Sequence, residues 1–197
     1  MAPKTSEQFE QIRQQSMDAI MQTALELFGH NGYHSTSISK IAQEAGISKG
    51  LIYNYFESKE DLLKRIILEA IETGEYIMDK AMEQSDDPFK QLQLVLENAV
   101  EMVKSNLHYW KLVTSLAFQG EVLTPIEDVI AEKNKIAMEL GIELFTRAGA
   151  EDPMKEALLF GATLDGMMLH FMQLGEQYPL EEMKNYIIKR FCTPIKD

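Results

Sequence analysis

Cysteine is nearly absent from this chain: Cys192 stands alone among 197 residues. A single thiol excludes an internal disulfide and any zinc site built on several cysteines. Long apolar runs are missing too. The richest stretch, LLFGATLDGMMLHFM, is broken by Asp165 and falls short of the roughly 20 apolar residues a membrane helix needs. The opening residues, MAPKTSEQFEQIRQQ, are polar and hold no hydrophobic signal core. These features lead us to expect a cytoplasmic protein with no membrane partner. No segment alternates with strand period, and no internal repeat, low-complexity run or long linker interrupts the chain. HExxH, GxSxG and a glycine-rich phosphate loop are all absent, so no cofactor, metal or catalytic residue is expected. His30 and His34 are four apart, but Gly32 ends the helix between them. His108 and His170 are isolated.

Positive charge is also scarce, with 19 Lys and Arg against 31 Asp and Glu for a net charge of −12. Duplex binding rests on cations that neutralise phosphates, so the distribution matters. Residues 1 to 60 account for −2 and the remainder for −10. Between Ser35 and Lys59, Lys40, Lys49 and Lys59 outweigh Glu44 and Glu57. Any nucleic-acid footprint must therefore be small and helped by pairing two copies.

What the chain does have is helical periodicity over nearly its whole length. Met17, Ile20, Ala24, Leu27 and Phe28 recur at spacings of three and four. Thr5 and Gln8 have capping-box spacing. Asp87-Pro88, Thr124-Pro125 and Asp152-Pro153 each pair a capping residue with proline at the first helical position. Gly32, Gly120, Gly149 and Tyr178-Pro179 mark helix ends. The spacing predicts helices at 7–30, 37–45, 48–56, 58–83, 87–104, 107–119, 124–148, 153–176 and 180–191. This is an all-α chain of about nine helices, with a three-helix domain over residues 1–60 and a larger bundle over 61–197.

The informative stretch is GYHSTSISKIAQEAGISKGLIYNYFESKEDLL. Ser37 is placed to cap a helix with an inner face of Ile38, Ile41, Ala42 and Ala45. Gly46 permits a sharp turn, and Ile47 plugs the angle. Ser48 caps a second helix that buries Leu51, Ile52 and Phe56. Two short helices around a glycine turn form the helix-turn-helix used to read DNA, here spanning 37–56. Nine residues reach about 13 Å at 1.5 Å each, close to the major-groove width. Ser48, Lys49 and Gly50 would offer free N–H groups to phosphate. Tyr53 suits a thymine methyl or a phosphate, and Asn54 suits adenine. Tyr55 would flank the backbone, and Ser58 with Asp61 would cap the next helix, leaving Lys59 as a phosphate ligand. The alternative is an ordinary bundle in which Tyr53, Tyr55 and Phe56 are core.

This stretch closely resembles the N-terminal domain of TetR-type repressors. The matching positions are Thr36, Ser37, Ile41, Ala42, Ala45, Gly46, Ile47, Ser48, Lys49, Gly50, Tyr53, Tyr55, Phe56, Ser58, Lys59, Glu60 and Leu62. The likeness covers roughly residues 14–74, with Ile47 in place of the commoner valine. It implies a homodimer that binds a double-stranded DNA operator and answers to a small-molecule effector. It also implies DNA contacts from Thr36, Ser37, Ser48, Lys49, Gly50, Tyr53, Asn54, Tyr55 and Lys59.

The larger part carries no chemical motif. Its methionines (Met78, Met82, Met102, Met138 and Met167 among them) and the aromatics Tyr109, Trp110 and Phe118 suit an adaptable pocket for an apolar ligand. His170 is a further candidate. Ordinary core packing is the competing reading. The resemblance implies a cavity among the helices at 58–83, 87–104, 107–119 and 124–148, where Gly74 could permit a bend. Leu158, Gly161, Ala162, Asp165, Met168, Leu169 and Met172 share a face with small residues at its centre. Met183, Ile187 and Phe191 form a narrower stripe on the last helix. Such faces suit either a two-fold dimer or packing within the chain, and the resemblance implies the four-helix dimer. Two rival functions are a small helical enzyme using His108 or His170, and a protein–protein adaptor that has lost DNA binding.

Overall fold

A computed structural model describes residues 6–118 and 123–194. The described residues form nine α-helices and no strand. In chain order they are α1 (Ser6–Asn31), α2 (Ile38–Glu44), α3 (Lys49–Tyr53), α4 (Lys59–Gln84), α5 (Pro88–Ser105) and α6 (Leu107–Ala117). A 3₁₀ turn at Thr124–Ile126 leads into α7 (Glu127–Arg147), followed by α8 (Pro153–Leu174) and α9 (Leu180–Phe191). The expected Gly120 stop and the Thr5 half of the first capping box lie outside the described residues. The expected helix start at Thr124 is the 3₁₀ turn, with α7 proper beginning at Glu127.

Local chemistry accounts for the boundaries. Gly32, Gly46 and Gly149 each adopt positive φ (82°, 68° and 79°), a region that costs a residue with a Cβ about 1 kcal/mol or more. Asp87 accepts from the Phe89 N–H at 3.1 Å, and Asp152 accepts from the Lys155 N–H at 3.1 Å. Each satisfies a donor that the first helical turn would otherwise leave bare.

Two compact units emerge. The first runs to Ala70 and takes in Lys111–Ile126; the second holds Ile71–Trp110 and the chain from Glu127 onward. In the first, α1 buries Ile20, Met21, Ala24, Leu25 and Phe28, while Met17 and Leu27 are half-buried. The inner stripe is thus rotated slightly from the one the spacing suggested. The described residues of 111–118 and 123–126 join this unit, whereas the spacing puts everything after residue 60 in the larger part. The reason is visible at Gly29, where an added Cβ would lie 2.2 Å from Leu112 Cδ2. The missing side chain lets Leu112 sit against α1, and Leu112 itself is buried.

In the second unit, the core joins Leu92, Val95 and Leu96 of α5, Leu144 and Phe145 of α7, Phe160 and Met167 of α8, and Ile187 and Phe191 of α9. Phe145, Phe160 and Phe191 meet edge-to-face, with centroids 5.5 to 6.4 Å apart. The end of α4 is tied in by polar bonds. The buried Gln91 amide donates to Ser85 O at 2.6 Å and Met82 O at 3.4 Å. Arg147 donates to Asp86 O at 2.5 Å, and Lys133 pairs with Glu75 at 2.7 Å. Helix α4 runs unbroken through Gly74.

Candidate DNA-reading surface

The reading unit is assembled by caps and sealed by apolar side chains. Ser37 Oγ accepts from the Lys40 N–H at 3.2 Å, and Ser48 Oγ from the Leu51 N–H at 3.2 Å. Ile38, Ile41, Ala42, Ile52 and Phe56 are buried, leaving Leu51, Ala45 and Ile47 half-covered. With Gly46 in the left-handed region, the Ile47 N–H reaches back to Ala42 O at 3.0 Å and closes the turn. Asp61 accepts from the Glu57 N–H at 2.9 Å while Ser58 accepts from the Asp61 N–H at 3.0 Å, which launches α4.

Helix α3 is shorter than expected, with five residues and then a turn at Asn54 and Tyr55. Its length is therefore about 7 Å rather than about 13 Å. The Asn54 N–H is shared between Gly50 O and Leu51 O at 3.2 Å each, and Phe56 is drawn inward. Outward, Ser37, Ser48, Lys49, Gly50, Tyr53 and Asn54 are all exposed. Lys49 Nζ lies 5.7 Å over the Tyr53 ring, so cation and phenol stand side by side. A Cβ on Gly50 would touch only Ser48 Oγ at 4.0 Å, leaving the backbone open to close approach. Tyr55 is half-buried and meets Phe56 edge-to-face at 6.5 Å.

Two of the residues expected on DNA turn inward. Thr36 is 1% exposed, and its hydroxyl donates to Gly32 O at 3.0 Å or Leu27 O at 3.2 Å. Lys59 Nζ donates to Tyr33 O and Thr36 O, both at 3.0 Å, and lies 4.2 Å over the Tyr33 ring. An ammonium has three donors, and two are spent fastening the loop after α1. Lys59 is therefore a brace between the start of α4 and the loop after α1. Burial and the nearby Glu60 carboxylate push the Tyr33 phenol up to about 12, so the ring stays neutral beneath that ammonium.

The pocket candidates divide. Met82, Met102, Trp110 and Met138 are half-buried and pack against the core of the second unit. Met78 and Tyr109 are half-buried as well, with Tyr109 edge-to-face on Trp110 at 5.2 Å. Met167 is buried in the core that also holds Phe145, Phe160 and Phe191. His170 is exposed, its ring 5.8 Å from Tyr178. Phe118 is 75% exposed and belongs to the first unit.

The dimer candidates divide the same way. Met168, Ile187 and Phe191 are core residues of their own chain, which removes them from a subunit surface. Leu158, Ala162 and Asp165 are exposed on α8, with Gly161 and Leu169 half-covered beside them; Met172 and Met183 are also half-buried. Met154, Leu159 and Tyr186, which the helical spacing did not single out, add exposed apolar area at 57%, 50% and 68%. The stretch Pro153–Gln177 is long and apolar enough to cross a membrane by composition, with a mean hydropathy of 1.2, and little of it is buried. Although Asp165 is exposed, partial desolvation raises its carboxyl above the ordinary range.

Comparison with known proteins agrees with this arrangement. Residues 20–66 match the family described as bacterial regulatory proteins, tetR family. The fatty acid metabolism regulator protein of Bacillus subtilis (strain 168) is 27% identical over 186 residues, covering 89% of this chain and 93% of that protein. The transcriptional regulator HbdR of Aromatoleum sp. (strain CIB) is 37% identical over 144 residues, covering 71% of this chain and 62% of that protein. AcrR of Shigella flexneri is 34% identical over 102 residues, and the chain spans about half its length (46%). Among solved structures, the fatty acid degradation regulator FadR of Bacillus halodurans shares the fold. Its TM-score is 0.71 at 21% identity, over 99% of both chains. AibR in complex with isovaleryl coenzyme A and operator DNA does so at 0.70 and 19% identity, over 91% of this chain and 100% of that one. The likeness to transcriptional regulators removes the enzyme reading, and residues 20–66 of this chain, with the helix-turn-helix intact, match the DNA-binding domain of the bacterial tetR-family regulators.

Proposed function

We propose that the protein is a ligand-responsive repressor that acts as a homodimer on a near-palindromic operator in the cytoplasm. The observation that carries this reading is the outward set Ser48, Lys49, Gly50, Tyr53 and Asn54 on a helix-turn-helix whose apolar side chains are sealed. In this reading Lys49 and the Ser48 and Gly50 backbone meet phosphate, Tyr53 and Asn54 meet base edges, and Ser37 and Tyr55 flank the backbone. The second subunit joins through α8 and α9, covering Leu158, Ala162 and Asp165. Two reading heads then stand about one helical turn of DNA apart, ~34–36 Å.

The effector is a largely apolar molecule, and we take it to be acyl-derived. Support comes from the fatty acid regulator in Bacillus subtilis and from AibR, whose structure holds isovaleryl coenzyme A and operator DNA. Met78, Met82, Met102, Tyr109, Trp110 and Met138 are its proposed neighbours. Binding favours a state in which α4 has moved and the heads no longer fit successive grooves, through differential affinity for the two states.

The test is gel-shift titration on the DNA upstream of the protein's own gene. Lys49→Ala and Tyr53→Ala should each weaken binding about 5- to 150-fold, the equivalent of ~1–3 kcal/mol. Equal affinity for all three proteins defeats the contact assignment. Acyl-coenzyme A thioesters of graded chain length should release the complex where coenzyme A alone does not.

A further inference from the structure

The first three turns of α1 are exposed from Glu7 to Gln15, including Phe9 at 61% and Ile12 at 41%. Its buried face starts only at Ile20, which is also where the family match starts. An open groove of about 240 Å³, lined by Ile12, Ser16 and Ala19 with Ala45 and Ile47 of the turn, runs beneath this extension. Core packing therefore gives no reason for α1 to begin so early. One contact does tie it to the reading surface: the Arg13 guanidinium lies 5.9 Å over the Tyr55 ring, and Tyr55 directly follows Asn54 at the end of α3.

From this geometry we infer that Arg13 is a DNA-phosphate ligand, positioned by Tyr55, that widens the contact surface beyond the helix-turn-helix. Three points carry the inference. The surface is short of cations, because the chain is at −12 and Lys59 is committed to Tyr33 O and Thr36 O. Arg13 is exposed, and among the described residues no carboxylate is paired with it. A guanidinium stacked on an aromatic face keeps its N–H edge free and matches the oxygen pair of a phosphate. Glu7 and Glu10 lie on the same extension and oppose a phosphate there. Glu7 sits about 9 Å and Glu10 about 4.5 Å along the helix axis from Arg13. At a Debye length of about 8–10 Å the Glu7 repulsion is partly screened, while Glu10 reduces the gain from the Arg13 contact without cancelling a direct ion pair.

The inference rests on the DNA-binding reading, and the experiment separates the two. Affinity for a duplex of the upstream DNA is measured across 50–300 mM salt for wild type, Arg13→Gln, Arg13→Lys and Lys49→Ala, with circular dichroism confirming the fold of each. Losing one phosphate contact per subunit should reduce the slope of log K against log salt by about 1.8 for a dimer. Arg13→Gln should also bind about tenfold more weakly at low salt, and Arg13→Lys should restore the slope. An affinity loss at unchanged slope, or no rescue of the slope by lysine, would mean Arg13 only braces Tyr55 and overturns the inference. Unchanged binding by Arg13→Gln beside weakened Lys49→Ala overturns it alone. If wild type itself ignores the duplex, the proposed function falls with it.

Discussion

Helices α3 and α8 both present side chains that their own subunit leaves uncovered, yet they do so by opposite means. Helix α3 has five residues and is held from outside by a cap at Ser48 and a turn at Asn54. What it exposes is polar, cationic or phenolic, chemistry that works only against a wet, charged partner. Helix α8 has 22 residues, and what it exposes is mostly aliphatic: Met154, Leu158 and Leu159. Such surface gains about 25 cal/mol per Å² when covered, so it asks for a dry partner. Uncovered surface is therefore not one signal. Its chemistry separates a face suited to a charged, hydrated partner from one suited to an apolar partner.

The largest effect that could break this contrast is on α8. Replacing exposed Ala162 by Arg should leave the subunit folded and convert the dimer to monomer in light scattering. Operator affinity should fall at least a hundredfold, because each head alone has a small footprint. A dimer of unchanged strength would put the interface elsewhere.

The next effect sharpens the account of the first unit. Lys59→Met strips two buried carbonyls of a charged donor and should cost about 1–3 kcal/mol, read as a lower midpoint in denaturant unfolding. A phosphate ligand would instead show a changed salt slope at unchanged stability. Thr36→Val should cost about 1 kcal/mol with little direct effect on DNA affinity, whereas Ser37→Ala, which removes a cap, should cost about 1 kcal/mol and weaken binding as well.

Smaller effects follow pH. Tyr33 and Cys192 are both pushed up to about 12, Tyr33 by burial and then Glu60, Cys192 by burial and then Glu97. Because the folded values lie above the unfolded ones, this stability is intact below about 9 and is lost as pH rises towards 12. Denaturant midpoints across that window check the sign, and Cys192→Ala should flatten part of the decline. The smallest effect belongs to Asp165, whose carboxyl is raised by partial desolvation. A dimer that buries it further should tighten as pH falls, and Asp165→Asn should tighten the dimer at pH 7 in sedimentation equilibrium. No change in either would move Asp165 off the interface.

Much of the reading head was legible in the residues because its determinants are local. Ser37, Gly46 and Ser48 act within three or four positions of themselves, so a one-dimensional pattern carries them. The helices of the second unit were legible for the same reason, through Asp87-Pro88 and Asp152-Pro153. The bracing role of Lys59 was not legible because the carbonyls that hold it lie 23 and 26 positions earlier, a distance no local pattern spans. Met168, Ile187 and Phe191 were misplaced because helical periodicity marks an apolar face without saying which neighbour covers it.

By itself, then, the sequence determined the nine helices of the described residues, the caps at Ser37, Ser48, Asp87 and Asp152 and the turn at Gly46, since these depend on backbone propensity and short-range hydrogen bonds. Tertiary structure alone decided which side chains stay outside. It turned Thr36 and Lys59 inward, left Leu158 and Ala162 bare, and brought Arg13 over Tyr55 from 42 positions away. Burial and long-range contact are properties of the packed chain, because each depends on what another helix happens to cover.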